Sequence, residues 1–308
     1  MAVFHGNGKL ILLGEHAVVY GRPALAASLP HGAEASAEPA AEPRLEVETW
    51  QLAFGADEAQ ADERAEQLRR AFCALLDGYP QRPQLHVRAR MLLPAGAGLG
   101  GSAALSVAIV RAIDAALGMQ RDAAGVAEAA LAAERVFHGN PSGVDTAMAA
   151  GSGVALYRKG QPLEAIQVAR KLTLVVGHSG EPGMTLETVA AVARQYERDP
   201  RKLEQIWDGV EALVTNGKSA LQSGELWRFG QLMTLNQKLL NGLMLSTTRL
   251  EEMCQAADKA GELGAERTGG GGGGCMIALC EGAAQAQAVQ SALTALGCEA
   301  FIAEVGGA

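Results

Sequence analysis

Two glycine-rich turns, two carboxylates and one lysine carry most of the potential chemistry in this 308-residue sequence. The first turn, Gly96-Ala97-Gly98-Leu99-Gly100-Gly101-Ser102, falls between a segment of alternating polarity and an alanine-rich segment. A strand that leads through such a turn into a helix presents unpaired N–H groups and a partial positive charge to an anion. Glycine lets that backbone approach phosphate oxygens with no Cβ in the way. Ser102, at the helix start, could cap it or hand its hydroxyl to a Mg²⁺ ion. The second turn runs from Thr268 through six glycines to Cys275 and leads straight into the apolar stretch CMIAL. A flexible linker is the plain alternative, but the run has no serine spacers, and a bare backbone surface beside a ligand explains it better.

Two familiar phosphate loops can be tested against the first turn. A Walker loop needs a lysine after its last glycine, and Ser102 stands there instead. Gly96, Gly98 and Gly101 do satisfy GxGxxG, but a dinucleotide site also needs an acidic residue closing a second strand about 20 residues on. Asp122 is at that distance, yet it opens a helical run and follows no strand. Of the carboxylates, Glu134 lies near the end of a helix whose Val126, Ala130, Ala133 and Phe137 suit burial, and Asp145 follows a Pro-Ser-Gly turn. Taken singly, Asp145 reads as a helix cap and Glu134 as a solvated helix residue. Together, with the chain folded back at the turn, both could reach one cavity. Lys9 enters a short apolar strand that ends in Gly14-Glu15-His16, an arrangement that suits a site at a strand terminus. For His16 and His138 a hydrogen-bonded structural role is the commoner outcome.

The elements that must position these groups follow from periodicity. Residues 9–13, 44–50 and 84–92 read as strands, and 58–76 as a helix with Leu68, Phe72 and Leu75 on one face. Helices are expected over 102–117 and 122–137, the latter ending in the turn signal HGNPSG. After Gly151-Ser152-Gly153 come strands at VALYRKG and 172–177, mostly helical sequence over 185–263, the strand CMIAL, a helix near 283–296 and a last strand, AFIAEV. A domain boundary is expected near 160–170, dividing the chain into 1–165 and 166–308. The formal net charge of −8 speaks against nucleic acid as a partner, because phosphate-backbone affinity needs a basic face. It does not exclude a nucleotide bound by local donors and Mg²⁺. The five cysteines form no CxxC pair, which favours a reduced cytoplasmic setting over a disulfide framework or zinc site. No run of about 18 uncharged apolar residues suggests a membrane span, and the apolar start is broken by Glu15 and His16 before any signal-peptide pattern develops.

Three segments together resemble the GHMP kinase superfamily: GKLILLGEHAVVYGRPALA, PAGAGLGGSAA and TGGGGGGCMIAL. Their order and separation agree with that family over nearly the whole chain, and ERVFHGNPSGVD is similar to a stretch typical of its mevalonate kinases. The resemblance implies an α+β fold, with an N-terminal ribosomal S5 domain 2-like domain, a ferredoxin-like C-terminal domain and an active site between them. It implies a cytoplasmic enzyme of isoprenoid precursor biosynthesis, phosphorylating (R)-mevalonate on its 5-hydroxyl with ATP and Mg²⁺. The alternative is a related kinase for phosphomevalonate, homoserine or a sugar. On the matching positions, Pro94, Ala95, Gly96, Ala97, Gly98, Leu99, Gly100, Gly101, Ser102 and Ala103 would cradle the ATP phosphates, and Ser102 and Glu134 would hold Mg²⁺. Asp145 would act as general base and Lys9 would orient the reacting groups, while Glu15, His16, His138, Thr268 and Gly269 would line the substrate side. A homodimer is compatible with the family. The sequence departs from the family pattern in His5-Gly6-Asn7 before Gly8-Lys9, where a proline is usual, and in Gly101 and Gly270, where serine and alanine are common. Glu266-Arg267 stand where a lysine often comes two residues before the threonine. Glu266 would weaken a nearby anion site unless Arg267 turns inward.

Overall fold

The computed structural model describes residues 2–139 and 141–306; Asn140, within ERVFHGNPSGVD, lies outside the described residues. Eleven strands and nine α-helices are found among the described residues. In chain order they are β1 (Phe4–Leu13), β2 (Ala24–Pro39), β3 (Arg44–Val47), β4 (Leu52–Gly55), α1 (Glu63–Leu76), β5 (Leu85–Met91), α2 (Gly101–Ala116), α3 (Ala123–His138), α4 (Val144–Ala150) and β6 (Val154–Tyr157). There follow β7 (Glu164–Ile166), β8 (Leu172–His178), α5 (Thr185–Arg198), α6 (Pro200–Ser223), α7 (Leu226–Asn241), α8 (Thr248–Lys259), β9 (Gly264–Thr268), β10 (Cys275–Cys280), α9 (Ala283–Ala295) and β11 (Glu299–Val305). Two units divide them. The first holds the chain up to Lys9, Ser28–Pro94 and Gly100–Ser152; the second holds Leu10–Ala27, Ala95–Leu99 and the chain from Gly153 onward.

In the first unit, β3 pairs antiparallel with β4 and parallel with β5, and β5 pairs antiparallel with Ala33–Pro39 of β2. Leu85, Val87, Ala89 and Met91 of β5 alternate inward as their spacing demands. They share one core with Leu68, Phe72 and Leu75 of α1, which are buried as expected. The α2 helix is buried from Ala103 to Ile113 with few breaks, because its small side chains let neighbours close on it from several directions. Its neighbour α3 is capped by Asp122, whose Oδ1 accepts from the Gly125 N–H at 2.8 Å. Asp122 is thus a capping residue, and the dinucleotide reading loses the acid it required.

In the second unit a four-stranded antiparallel sheet runs β11-β8-β10-β9. Helices α8 and α9 pack on it, with Met253, Ala257, Val289 and Leu293 fully buried. Ala24–Ala27 of β2 pair with β6, and β6 pairs with β7. The long α6 begins at Pro200, capped by Asp199, and stops at Gly224 in the left-handed conformation.

The structure corrects the sequence reading at several places: β4 and β7, for instance, have no counterpart among the expected strands. The 44–50 strand ends at Val47, where a single 3₁₀ turn (Glu48–Trp50) intervenes before β4. The 16-residue β2 has no counterpart among the expected strands, because ALAASLPHGAEASAEP contains no β-branched residue, phenylalanine, tyrosine or tryptophan; its pairing and burial override a weak local propensity. The helical run expected to reach 263 ends at Lys259, the last residue of α8, and the chain is a strand again from Gly264. Phe72 is 1% exposed in the first unit's core. Phe72→Ala should therefore lower stability by about 3–5 kcal/mol in urea denaturation.

Candidate active site

The first unit brings Lys9, Gly100, Ser102, Glu134, His138 and Asp145 to one place. Lys9 Nζ lies 2.9 Å from Asp145 Oδ1, with the lysine side chain 13% exposed and the aspartate 37% exposed. Asp145 sits in the first turn of α4, whose N-cap Gly143 makes no side-chain cap bond. The cap reading of Asp145 therefore gives way to an ion pair with Lys9. Gly100, the left-handed N-cap of α2 (φ +72°), stands against this pair. A Cβ there would lie 3.2 Å from Lys9 Cβ and 3.8 Å from Asp145 Oδ1, so a side chain would crowd the pair as well as strain the backbone. No side chain caps α2. Ser102 is the second residue of that helix, past the cap position, and its Oγ lies 3.3 Å from His138 Nε2.

Glu134 is buried at 2% exposure, against its plain reading as a solvated residue, and its Oε1 has no hydrogen-bond partner among the described residues. Exposed His138 approaches its Oε2 at 3.7 Å. Burial pushes the Glu134 carboxyl up to about 7; the Asp145 charge adds to this, while contact with the Ser102 hydroxyl and the Lys9 charge oppose it. Among the described residues no group of three or more His, Cys, Asp or Glu is placed to hold a metal ion.

The second unit brings the two glycine turns into contact. A Cβ on Gly269 would lie 3.5 Å from the Gly98 carbonyl oxygen, and one on Gly274 would lie 3.3 Å from that of Ala97. The Gly183 N–H donates to Gly96 O at 3.3 Å, and the Met184 N–H to Gly271 O at 3.1 Å. Gly269 and Gly271–Gly274 all have positive φ, so the run is a shaped turn and the linker reading fails. Thr268 is buried, and its Oγ1 both donates to Ile11 O (2.9 Å) and accepts from Ile11 N–H (3.1 Å), which pins the end of β9 to β1. His16, at a strained φ of +59°, is also buried and lies 2.7 Å from Gly270 O through Nε2. A carbonyl only accepts, so Nε2 carries the proton. Burial first, then the charge of Arg267, brings the imidazole down to about 4, against the pull of the Gly270 bond. Glu15 is buried and accepts from Asn236 Nδ2 at 3.1 Å.

Comparison with known proteins completes this picture. The GHMP kinases N terminal domain family matches residues 66–153, and the GHMP kinases C terminal family matches residues 218–297. The chain is a GHMP kinase. Among its relatives, a mevalonate kinase of Pyrococcus horikoshii is 34% identical over 295 residues, covering 89% of this chain and 87% of the relative. One from Methanothermobacter thermautotrophicus is 32% identical over 277 residues, covering 89% and 88%. Among solved structures, that of L. major mevalonate kinase in complex with R-mevalonate superposes with a TM-score of 0.87 at 28% identity, covering 100% of this chain and 97% of the other. This GHMP kinase thus has the family's two-domain fold of mixed α and β content and is an ATP-using phosphotransferase.

Lys9, Ser102, Glu134 and Asp145, named from the sequence, do lie together in the first unit, but sequence reasoning misses what lies under the second glycine run. Arg267 and Glu266 are both fully buried, so the arginine does turn inward, and so does the glutamate. Glu266 Oε2 accepts from Asn236 Nδ2 at 2.6 Å, and Arg267 Nη1 donates to Gly269 O at 3.0 Å. The one available signal is the position of the Glu-Arg pair directly before Thr268.

The raised Glu134 carboxyl has a consequence for stability. Between its ordinary value of 4.5 and about 7 the folded chain holds a proton that the unfolded chain has lost. Stability therefore falls as pH rises through that window, by up to ~3 kcal/mol. Urea denaturation of the metal-free protein at pH 5 and pH 7.5 should show this loss in the wild type, and Glu134→Gln should reduce it.

Proposed function

We propose that this GHMP kinase transfers the γ-phosphoryl group of ATP to the 5-hydroxyl of (R)-mevalonate, giving 5-phosphomevalonate and ADP. The observation that carries the chemistry is the Lys9–Asp145 pair at 2.9 Å against Gly100, the residue that opens α2. The substrate assignment rests on relatives named mevalonate kinase that share about a third of their residues with nearly the whole chain. Pro94–Ala103 form the nucleotide loop in this reading. The uncapped amides at the start of α2 take phosphate oxygens, and the glycines let them come close. Asp145 orients the mevalonate hydroxyl and takes its proton as the new P–O bond forms and the bond to ADP breaks. Lys9 sets a positive charge beside the reacting oxygens, where charge stabilisation lowers the barrier most.

Mg²⁺ fits the residues present. The unpartnered Glu134 Oε1 and the nearby Ser102 hydroxyl are hard oxygen donors, and Mg²⁺ completes its shell with waters and substrate phosphates when a protein offers only one or two ligands. Bound there, the ion would neutralise charge on the transferring phosphoryl oxygens. Glu15, His16, His138 and Gly269 belong to the mevalonate side of this reading, and Thr268 acts through its hold on β1. The 1–165 and 166–308 domain division, a cytoplasmic location and a homodimer belong to the same reading and rest on the resemblance to the family.

Purified protein with Mg·ATP should phosphorylate mevalonate in a coupled ADP assay, and far more efficiently than phosphomevalonate, homoserine or galactose. Absence of turnover across that panel would overturn the reading. Asp145→Ala should lower kcat by about 10²–10⁴ while ATP affinity, measured by calorimetry, stays within a few-fold of wild type. Normal turnover in that variant would remove Asp145 from the mechanism.

A further inference from the structure

Beneath the second glycine run lies a buried cluster of ionisable groups, of which Arg267 and Glu266 have no part in the phosphoryl transfer proposed above. Arg267 on β9 is fully buried, and the charges of Glu15, Glu266 and Glu251 act on it. Asn236 on α7 ties two of those carboxylates together, donating through Nδ2 to Glu15 Oε2 at 3.1 Å and to Glu266 Oε2 at 2.6 Å. The Arg267 backbone is fixed as well, because its N–H donates to Gln237 Oε1 at 2.9 Å. Burying a guanidinium among carboxylates is costly, and apolar residues of similar volume are often as stable or more so. The cost here is visible: Arg267 Nε and Nη2 have no hydrogen-bond partner among the described residues. Packing alone therefore gives no reason for an arginine at this position.

What the guanidinium does make is a bond to the turn. Nη1 donates to Gly269 O at 3.0 Å, and Gly271 rests over the same group. A Cβ on Gly271 would come within 2.9 Å of Nη1 and 2.5 Å of Leu245 O, at a φ of +84°. The next carbonyl, Gly270 O, receives His16 Nε2 at 2.7 Å and Thr188 Oγ1 at 2.9 Å. In a planar trans peptide the N–H points away from the C=O. Donors on the Gly269 and Gly270 carbonyls thus fix the directions of the N–H groups of Gly270 and Gly271, each opposite its own carbonyl.

We propose that Arg267 is a positioning residue. Through Nη1 on Gly269 O its guanidinium sets the direction of the Gly269–Gly270 peptide, and so keeps this turn in shape against the Ala97–Gly98 stretch of the nucleotide loop. The inference rests on the kinase reading, which makes the stretch around Ala97–Gly98 a nucleotide loop.

Two variants test it. Arg267→Lys keeps the charge but loses the planar fork that reaches Gly269 O. The double variant Glu266→Gln/Arg267→Met removes both buried ionisable side chains together. Calorimetry with a non-hydrolysable ATP analogue and Mg²⁺ reads nucleotide affinity without any alcohol substrate, and thermal melting reads the fold. Variants that melt within a few degrees of wild type but bind the analogue at least tenfold more weakly are the expected result. Wild-type affinity in either folded variant would overturn the proposal. Failure of both to fold would make Arg267 a residue of the fold, and would overturn it too. If the wild type itself did not bind the analogue, the kinase reading would be at fault instead.

Discussion

The ion pair of Lys9 and Asp145 exists because the chain leaves room for it at Gly100. Lys9 belongs to β1 and Asp145 to the short α4, and the start of α2 comes in between with a glycine in the left-handed conformation. Any larger residue would meet Lys9 Cβ at 3.2 Å. Placing a cation, an anion and the open end of a helix within a few ångströms requires one backbone to pass without a side chain. That requirement explains the glycine at this position better than any general preference for flexible loops.

The second constraint is electrostatic. Both units bury ionisable groups near the glycine turns, and burial makes them sensitive to their neighbours. Glu134 in the first unit is raised to about 7 by desolvation, and His16 in the second is brought down to about 4 by the same cause. Both shifts favour the neutral form, as loss of water requires. Glu266 follows the same rule: burial, with the Glu15 charge, raises it well above its ordinary value, against the Asn236 bond and the Arg267 charge. Low-dielectric surroundings make each such group expensive, and they also strengthen whatever a ligand's charge finds there.

Much of this is legible in the amino acids. Strict alternation marks β5 and helical spacing marks α1, but residue type and position alone leave Asp145 a helix cap and Glu134 a solvated residue; the resemblance to the family is what groups them with Lys9 and Ser102. The second glycine run reads as shaped backbone, and the positive φ of Gly269 and Gly271–Gly274 agrees. What escapes are features decided by tertiary surroundings. β2 has the composition of a helix or loop and becomes a strand because partners pair with it. Glu266 and Arg267 look like surface residues until α7 and α8 are seen to cover β9. The burial of Glu134 escapes for the same reason, since nothing in one helix tells which neighbours close over it.

The Gln237 side chain on the Arg267 N–H has an effect beyond the site. β9 closes one side of the four-stranded sheet, and the exposed border of a sheet is a template on which foreign chains can dock and aggregate. With that amide already taken and two helices packed over the strand, an incoming polypeptide finds a hydrogen-bonding position it would need already filled. The same contact that steadies the arginine under the turn thereby guards the protein against intermolecular strand addition.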